Sequence, residues 1–261
     1  MKTILYFCFI IISFNIYGHK EKQFVPPGTV KLNESLYVDK TEVSNISYKE
    51  YIYWNKKFKG ENSPEYLFCL PDTTVWEEPL RSIYLWHPAY EEYPVVGISY
   101  EQAVDYCKWR SDRVNELFYL KENKLSKNTD LSNVDIPQKV IFRLPTKAEW
   151  QIIAVVNYSK KSINKLNSKK SGSRARCNFA GNNIEDINSD KCQITCPVKS
   201  YVPNLLGIYC IDGNVAEMID EKGIAKGGSW KHKEEEYNVD KDYCYTKPEV
   251  WLGFRCVCEV L

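Results

Sequence analysis

The sequence predicts an α+β domain with little regular secondary structure. Two observations predict this fold class. Three helix starts with capping residues lie in the first 150 positions, whereas after Cys177 turn dipeptides separate short segments and no long helical period appears. Because the chain shows neither a tandem repeat nor an interdomain linker, residues 19–261 are predicted to form one domain.

Each helix is predicted from a hydroxyl residue followed three positions later by a carboxylate or an amide. Together these two side chains satisfy backbone donors of the first helical turn. The predicted helices are Tyr48–Lys56 behind Ser47 and Glu50, Tyr100–Leu117 behind Ser99 and Gln102, and Lys147–Val156 behind Thr146 and Glu149. In each of them apolar residues recur at helical spacing, so each is expected to bury one face.

The segments between and after these helices are predicted from their polarity and turn content. Residues 121–138 are polar and are expected to form a surface insertion, and residues 159–176 are rich in Lys, Ser and Asn and are expected to form a mobile loop. In the turn-rich half, Ala225–Trp230 and Gly253–Glu259 are predicted strands.

Composition excludes two classes of protein. The 261 residues are 44% hydrophobic and 14% aromatic with a net charge of +1, and such a chain is not predominantly disordered. It also has neither the basic excess nor the basic stripe of a duplex-binding protein, so we expect no nucleic-acid partner.

The N-terminus predicts export. Met1-Lys2 is basic, residues 3–17 are mostly apolar, and small Gly18 precedes polar residues, which is the pattern of a secretory signal peptide over residues 1–18. The alternative is an uncleaved anchor, although the run is shorter than the roughly 20 residues that span a bilayer. A lipoprotein anchor is disfavoured because Cys8 lies early and follows Phe7. The expected location is periplasmic, outer-membrane-associated or extracellular.

The cysteine count needs an explanation. Ten cysteines are many for a cytosolic domain, and removal of Cys8 with the signal peptide leaves nine. Because nine is odd, at least one thiol is free or pairs outside the chain. The spacings Cys192-x-x-x-Cys196 and Cys256-x-Cys258 differ from those of zinc ribbons, so disulfides are favoured over metal binding.

Common catalytic motifs are missing. The three histidines are His19, His87 and His232, and the chain contains neither Gly-x-Ser-x-Gly nor His-Glu-x-x-His. His87 is interpreted as a hydrogen-bonded loop residue. No glycine-rich loop between a strand and a helix suggests a nucleotide site.

Two oxygen-rich groups could hold calcium, an ion that accepts carboxylate, amide and carbonyl oxygens. The first comprises the side chains of Asn178 and Asp190 with the carbonyls of Phe179 and Cys192. The second comprises two carbonyls and a carboxylate, from Gly213, Val215 and Glu217.

Nine short segments, in order, resemble motifs of the formylglycine-generating enzyme (sulfatase-modifying factor) family. They are Phe24–Gly28, Val38–Asn45, Tyr93–Tyr100, Ala103–Trp109, Phe142–Trp150, Pro203–Tyr209, Gly213–Glu217, Lys226–Trp230 and Leu252–Cys256. The resemblance implies that family's α+β fold, which is related to C-type lectins, has a few helices around short antiparallel strands and often holds calcium. It supports the first calcium site. It adds Cys210 to the second, where the family has Asp or Asn.

The resemblance also locates the family's active site. Enzymes of the family bind Cu(I) between two cysteines that follow Gly-Gly-Ser, and the bound metal activates oxygen to oxidise a substrate cysteine. Here Ser229 is retained, but the two cysteine positions hold His232 and Tyr237. Ala216 replaces an expected tryptophan and Trp251 an expected asparagine. An imidazole beside a phenol does not reproduce dithiolate coordination, so we expect no copper, no catalytic residue and no oxidase activity.

A family disulfide is implied between Cys107 and Cys256. It would close a loop of about 150 residues and stabilise the fold by about 4–5 kcal/mol in the chain-entropy account.

A narrower resemblance is to bacterial gliding-motility and type IX secretion members of the family. It is carried by Thr41–Val43, Tyr53-Trp54, Pro71–Thr73, His87–Val96, Arg110–Glu116 and the insertion before Arg143. It implies a structural or accessory protein of a cell-envelope assembly with envelope or secretion-machinery partners, and membrane association only through them or an uncleaved N-terminus. The alternatives are a divergent copper oxidase using Cys244 with His232, or Cys258, and a lectin-like module using Trp76, Trp86 or Trp230.

Overall fold

Two four-stranded sheets form the framework of the protein. The computed structural model describes residues 25–157, 177–180 and 193–261. The first sheet has the order β1-β2-β8-β3 and is antiparallel, and the second has the order β6-β5-β4-β7 with β4 and β7 parallel. The strands are β1 Thr29–Lys31, β2 Leu36–Asp39, β3 Val140–Arg143, β4 Ala216–Met218, β5 Ile224–Lys226, β6 Tyr243–Cys244, β7 Leu252–Gly253 and β8 Val257–Val260.

Five α-helices accompany the sheets within the described ranges. They are α1 Asn45–Lys59, α2 Pro64–Cys69, α3 Leu80–Ile83, α4 Tyr100–Glu122 and α5 Lys147–Ala154. Short 3₁₀ turns cover Thr73–Val75, Pro88–Tyr90 and Glu234–Glu236. The mixture of short helices and mostly antiparallel strands confirms the predicted α+β class. None of the described helices has the length and apolarity needed to cross a membrane.

The last strand joins the two ends of the described chain. β8 lies in the middle of the first sheet, where Val257 pairs with Val38 of β2 and Cys258 pairs with Phe142 of β3. Val257 and Cys258 are fully buried. The N-terminal strands are therefore held in place by a strand from the far end of the sequence.

Two of the three predicted capping boxes are confirmed, and the third is wrong. The Ser99–Gln102 and Thr146–Glu149 boxes form as expected. Helix α1 begins three residues earlier than predicted, because the side chain of Ser44, and not that of Ser47, caps it. Ser44 has the extended backbone conformation that an N-cap residue needs, and it forms a β-bridge with Pro94.

Helix α4 ends at Glu122, five residues beyond its predicted end, and two polar side chains of its second half contact β3. Asn115 accepts from the Val140 amide at 3.0 Å and donates to its carbonyl at 2.9 Å, and the Ser111 hydroxyl accepts from Phe142 at 2.7 Å. These polar side chains form hydrogen bonds with backbone N–H and C=O groups at the free edge of β3, and the second half of α4 packs against that strand. Helix α5 ends at Ala154, two residues before its predicted end.

Both predicted strands are shorter than expected. The segment predicted from residue 225 begins one residue earlier but stops at Lys226, because Gly227 and Gly228 have positive φ values of 91° and 70° and leave the extended region. The segment predicted from residue 253 divides into β7 and β8, and Arg255 lies between them.

The polar stretch at residues 121–138 is exposed apart from the partly buried Thr129, Leu131 and Ile136, and this supports the expected surface insertion; its first two residues end α4. The loop predicted at residues 159–176 and the signal peptide predicted at residues 1–18 lie outside the described residues.

Candidate functional site

Three of the positions that the resemblance gives for the active site, Ser229, His232 and Tyr237, follow β5. Gly228 is the second residue after β5, and a Cβ on it would stand 2.7 Å from Cε1 of Phe179 and 3.0 Å from the Tyr243 hydroxyl. Only glycine allows the backbone to pass so close to these two rings. The close passage places Ser229, which is fully buried, beside the aromatic side chains that follow.

Ser229 and His232 form a hydrogen-bonded pair. Oγ of Ser229 lies 2.7 Å from Nδ1 of His232, and the same hydroxyl accepts from the backbone N–H of Lys231 at 3.2 Å. A tight turn, in which the His232 amide bonds the Ser229 carbonyl, holds the two residues together. One nitrogen of the imidazole is therefore already engaged.

Aromatic rings surround the His232 imidazole. The ring centroids of Tyr243 and Trp251 lie 4.4 and 5.1 Å from it. Burial, followed by the positive charge of Lys241, lowers the pKa of His232 below its usual value. The lowered pKa favours the neutral form of the imidazole, which serves as a polar contact among aromatic rings.

Tyr237, at the second cysteine position, is also engaged. Its hydroxyl donates to Oδ1 of Asp212, and its ring lies 5.4 Å from that of Phe179. The two remaining family positions are neighbours in the second sheet, since the Ala216 amide donates to the Trp251 carbonyl at 2.8 Å. The structure thus brings Ser229, His232 and Trp251 together. Tyr237 lies beside this group, where its ring contacts that of Phe179.

This donor set does not fit Cu(I). The metal prefers two thiolates, but here one position offers an imidazole whose Nδ1 contacts a serine and the other a phenol bonded to a carboxylate. Cys244 does not complete the site. It follows Tyr243 on β6, and because successive strand side chains alternate, it is exposed on the face opposite to the one that contacts His232.

Cys258 is no better placed as a metal ligand. It is buried in β8 of the first sheet, whereas His232 contacts residues of the second. Burial raises the pKa of its thiol to about 12, so the thiolate that copper requires is strongly disfavoured.

The described part of the first calcium site fits a cation. Oδ1 of Asn178 is buried and has no hydrogen-bond partner among the described residues, while its amide nitrogen donates to the Ile194 carbonyl at 2.8 Å. An unsatisfied buried acceptor is costly unless something such as a cation binds it. Phe179 follows directly and is buried. The other two predicted ligands, Asp190 and Cys192, lie outside the described residues.

The second calcium group does not fit a calcium ion, because a guanidinium already occupies it. Arg255 donates to the Glu217 carboxylate at 2.5–2.8 Å and to the Cys210 carbonyl at 3.4 Å. Trp150 donates to the same carboxylate at 2.8 Å. Gly213 serves a packing role instead, since a Cβ there would stand 2.7 Å from the Asn178 carbonyl oxygen. The Val215 side chain is buried, and a Cβ added at Gly253 would stand 2.7 Å from its Cγ2 atom.

The predicted disulfide partners are neighbours in the core. The Sγ atoms of Cys107 on α4 and Cys256 before β8 lie 3.4 Å apart, and both residues are buried. That distance is a contact between thiols and exceeds the roughly 2.05 Å of a bond, so the disulfide stays a prediction. Cys196, by contrast, is disulfide-bonded.

The aromatic residues predicted for a lectin-like module do not form one surface. Trp76 is buried, 6.0 Å from Trp230, whose indole donates to the Val250 carbonyl, whereas Trp86 is half exposed. The interpretation of His87 is confirmed, because its Nδ1 accepts from the Ala89 amide and caps a short helix.

Sequence reasoning missed a buried charged cluster behind the site. Arg255 and Glu217 form an ion pair with no exposed surface, and Glu42 lies in the same interior, bonded to Asn214 at 2.8 Å. Burial raises the pKa of Glu42 to about 8, and Arg255 opposes that shift. A sequence signal existed for two of these residues, because Glu217 and Arg255 each lie within a short, largely apolar segment, whereas the neighbours of Glu42 are mostly polar.

The chain is similar in sequence to formylglycine-generating enzymes of other organisms. The chain is 25% identical over 201 residues to the formylglycine-generating enzyme of Thermomonospora curvata, covering 65% of this chain and 56% of that protein. It is 23% identical over 281 residues to the mouse enzyme, covering 87% of this chain and 67% of that protein. The chain therefore spans just over half the length of the Thermomonospora relative.

Among solved structures, the chain is similar to CarF (TM-score 0.49, 19% identity, 90% of this chain and 96% of that one). It is also similar to PvdO from Pseudomonas aeruginosa (TM-score 0.48, 16% identity, 87% of this chain and 80% of that one). Residues 13–260 match a family described as the sulfatase-modifying factor enzyme 1-like domain, which is nearly the whole chain. The chain belongs to this family.

Proposed function

We propose that this chain is an exported, non-catalytic member of its family that acts as an accessory component of a bacterial cell-envelope assembly of the gliding-motility or type IX secretion kind. The observation that carries the proposal is a family scaffold around a site that lacks a dithiolate. Ser229 is retained, but its neighbours at the metal positions are an imidazole and a phenol that already have partners. A family scaffold without the copper ligands favours a binding role over an oxidative one.

Export has support from the cysteines as well as from the N-terminal sequence. Cys196 is disulfide-bonded, and structural disulfides persist in oxidising compartments. The 3.4 Å contact of Cys107 with Cys256 offers a second pair that could bond there. We therefore place the protein in the periplasm, at the outer membrane or outside the cell, with envelope proteins as its partners. Affinity purification from the native envelope would identify them.

The main test of this proposal is Cu(I) chemistry. We expect the purified protein to compete poorly with a Cu(I) chelator and to consume no oxygen with a cysteine-containing peptide, because no thiolate pair is available. Cys244→Ser is the matched control, since Cys244 is an exposed thiol that can bind copper adventitiously. Any weak copper binding should disappear in this variant. Oxygen uptake that depends on Cu(I) would instead establish the divergent oxidase. Uptake that is lost in Cys244→Ser would assign it to Cys244 with His232, and uptake that persists would assign it to Cys258.

We also propose that calcium has a structural role at Asn178 and Phe179. A bound calcium ion would supply the partner that Oδ1 of Asn178 lacks among the described residues. We expect EDTA to lower the melting temperature by about 5–10 °C and added calcium to restore it. This is the shift expected when the free calcium concentration is about 100 times the Kd of the site.

Two variants make the calcium test specific. Asn178→Ala should melt lower than the wild type and lose its response to EDTA. Asn128→Ala, which alters an exposed loop, should keep the wild-type response. A melting temperature that neither EDTA nor calcium changes would remove calcium from the proposal.

A further inference from the structure

The C-terminal half of α1 carries an exposed cluster of aromatic and basic side chains. We name it the aromatic–lysine patch, and it comprises Tyr53, Trp54, Lys57, Phe58 and Lys59. Tyr53 and Phe58 are 64% and 61% exposed, and Trp54 is partly exposed. Exposed large rings are costly in water, so such a group on a folded helix points to a function.

Close contacts connect the members of the patch. The rings of Trp54 and Phe58 lie 5.1 Å apart, and Nζ of Lys57 lies 5.9 Å from the Tyr53 ring and 5.3 Å from the Phe58 ring. The pairs Tyr53–Lys57 and Trp54–Phe58 each have the spacing of four that places side chains one turn apart on a helix. The patch is therefore a continuous surface in which cations alternate with rings.

The opposite face of the same helix is firmly packed. Tyr48, Tyr51, Ile52 and Asn55 are buried, and the Tyr48 ring stacks on that of Tyr106 from α4 at 5.6 Å. Helix α1 therefore presents the patch on a rigid support.

The charge of the patch is positive and largely uncompensated. Among the described residues, neither Lys57 nor Lys59 has a carboxylate within ion-pair distance, whereas the adjacent Lys56 pairs with Glu61 at 2.6 Å. Arg113 of α4 adds a guanidinium 4.4 Å from the Trp54 ring, although it also pairs with Glu116. The surface thus combines exposed rings with lysine cations that have no carboxylate partner among the described residues.

We propose that the aromatic–lysine patch docks the protein on an anionic phospholipid surface. Tyrosine, tryptophan and phenylalanine rings are stable at the headgroup level of a bilayer, and nearby lysines are attracted by anionic lipids. A purely apolar protein pocket would have to desolvate Lys57 and Lys59, whereas a headgroup layer accepts the rings and keeps the ammonium groups hydrated. The proposal is independent of the non-catalytic function proposed above.

The experiment uses the full chain with phosphatidylcholine vesicles that contain or lack phosphatidylglycerol. Cosedimentation measures partitioning, and hydroxyl-radical footprinting by mass spectrometry reports the accessibility of each side chain. Footprinting separates the patch from any binding through the N-terminal residues. We expect oxidation of Tyr53 and Phe58 to fall severalfold with the anionic vesicles alone, while oxidation of Trp86, which is half exposed on another loop, is unchanged.

Variants test the two components of the patch. Lys57→Gln with Lys59→Gln should lower partitioning on anionic vesicles by about tenfold or more, since each lysine near the surface contributes about fivefold. Tyr53→Ser with Phe58→Ser should lower it by on the order of tenfold. The matched controls are Lys124→Gln with Lys127→Gln, and Val104→Ser with Ile152→Ser, which change exposed residues elsewhere and should bind as the wild type does.

Three outcomes would overturn the proposal. The first is unchanged oxidation of Tyr53 and Phe58 on anionic vesicles. The second is equal protection on neutral and anionic vesicles. The third is protection of the patch in protein alone that disappears on dilution, because the occupant would then be a second copy of the chain.

Discussion

Arg255→Met is expected to lower the free energy of unfolding by about 3–5 kcal/mol, the usual cost of removing one partner from a buried ion pair. The guanidinium is fully buried and donates to Glu217 of β4 at 2.5–2.8 Å. It also donates to the Asp39 carbonyl of β2 at 3.2 Å and to the Tyr209 carbonyl at 2.9 Å. One side chain therefore joins the first sheet, the second sheet and a connecting loop.

The physical reason for this large effect is the carboxylate that remains. Methionine fills much of the volume but leaves Glu217 buried without a cation, in an interior that also contains Glu42. Urea unfolding at pH 7 measures the loss. The matched control is Arg143→Met, which removes a partly exposed arginine paired with Glu149 and Glu259, and we expect a loss of about 1 kcal/mol or less.

A double variant distinguishes the loss of the ion pair from the loss of packing. Adding Glu217→Leu to Arg255→Met removes the stranded carboxylate, so the double variant should be less destabilised than the sum of the single changes. Strict additivity would show that the two side chains do not depend on each other. The argument for Arg255 as the link between the sheets would then fail.

Local chemistry determined which elements could be predicted from the sequence. The capping boxes at Ser99 and Thr146 act within one helical turn, and the structure contains both of them at the predicted residues. The predicted start of α1 was wrong because the residue that caps the helix, Ser44, is positioned by a β-bridge to Pro94, fifty residues away. Strands of two to four residues, such as β1 and β7, are too short to show alternation and depend on partners distant in sequence.

The candidate site, like the fold, could be predicted from the sequence only in part. The residue types at positions 229, 232 and 237 were enough to predict that copper would not fit. Their contacts were not predictable, because the engagement of His232 with Ser229 and of Tyr237 with Asp212 depends on how the loop folds after Gly228. The second calcium group failed for a similar reason. Glu217 was expected to face an ion, and the fold instead brings Arg255 to it.

Glu42→Gln is expected to make the protein more stable than the wild type at pH 8 and to leave its stability almost unchanged near pH 4.5. Glu42 is 1% exposed, and its Oε2 has no hydrogen-bond partner among the described residues. Arg255 is bonded to Glu217, so Glu42 lacks a cation of its own. Burial raises its pKa from 4.5 to about 8.

The sign of the pH dependence follows from linkage. Between pH 4.5 and about 8 the folded state holds a proton on Glu42 that the unfolded state has released. The unfolded state therefore binds fewer protons, and the stability of the wild type falls as pH rises through this window, by about 4 kcal/mol in total. Glutamine has no proton to lose, and its side-chain oxygen can still accept from Asn214 as Oε1 of Glu42 does at 2.8 Å.

Urea unfolding of both proteins at several pH values from 5 to 8 measures the difference in slope. Titrating groups that do not interact with Glu42, such as His232 with its lowered pKa, contribute equally to both proteins and cancel in that difference. Glu50→Gln is the matched control, because it removes an exposed carboxylate from α1 and should leave the wild-type slope intact. If Glu42→Gln keeps the wild-type slope, Glu42 is ionised in the folded protein. Arg255 would then have to balance two buried carboxylates, and the cluster would be held by charge on all three side chains.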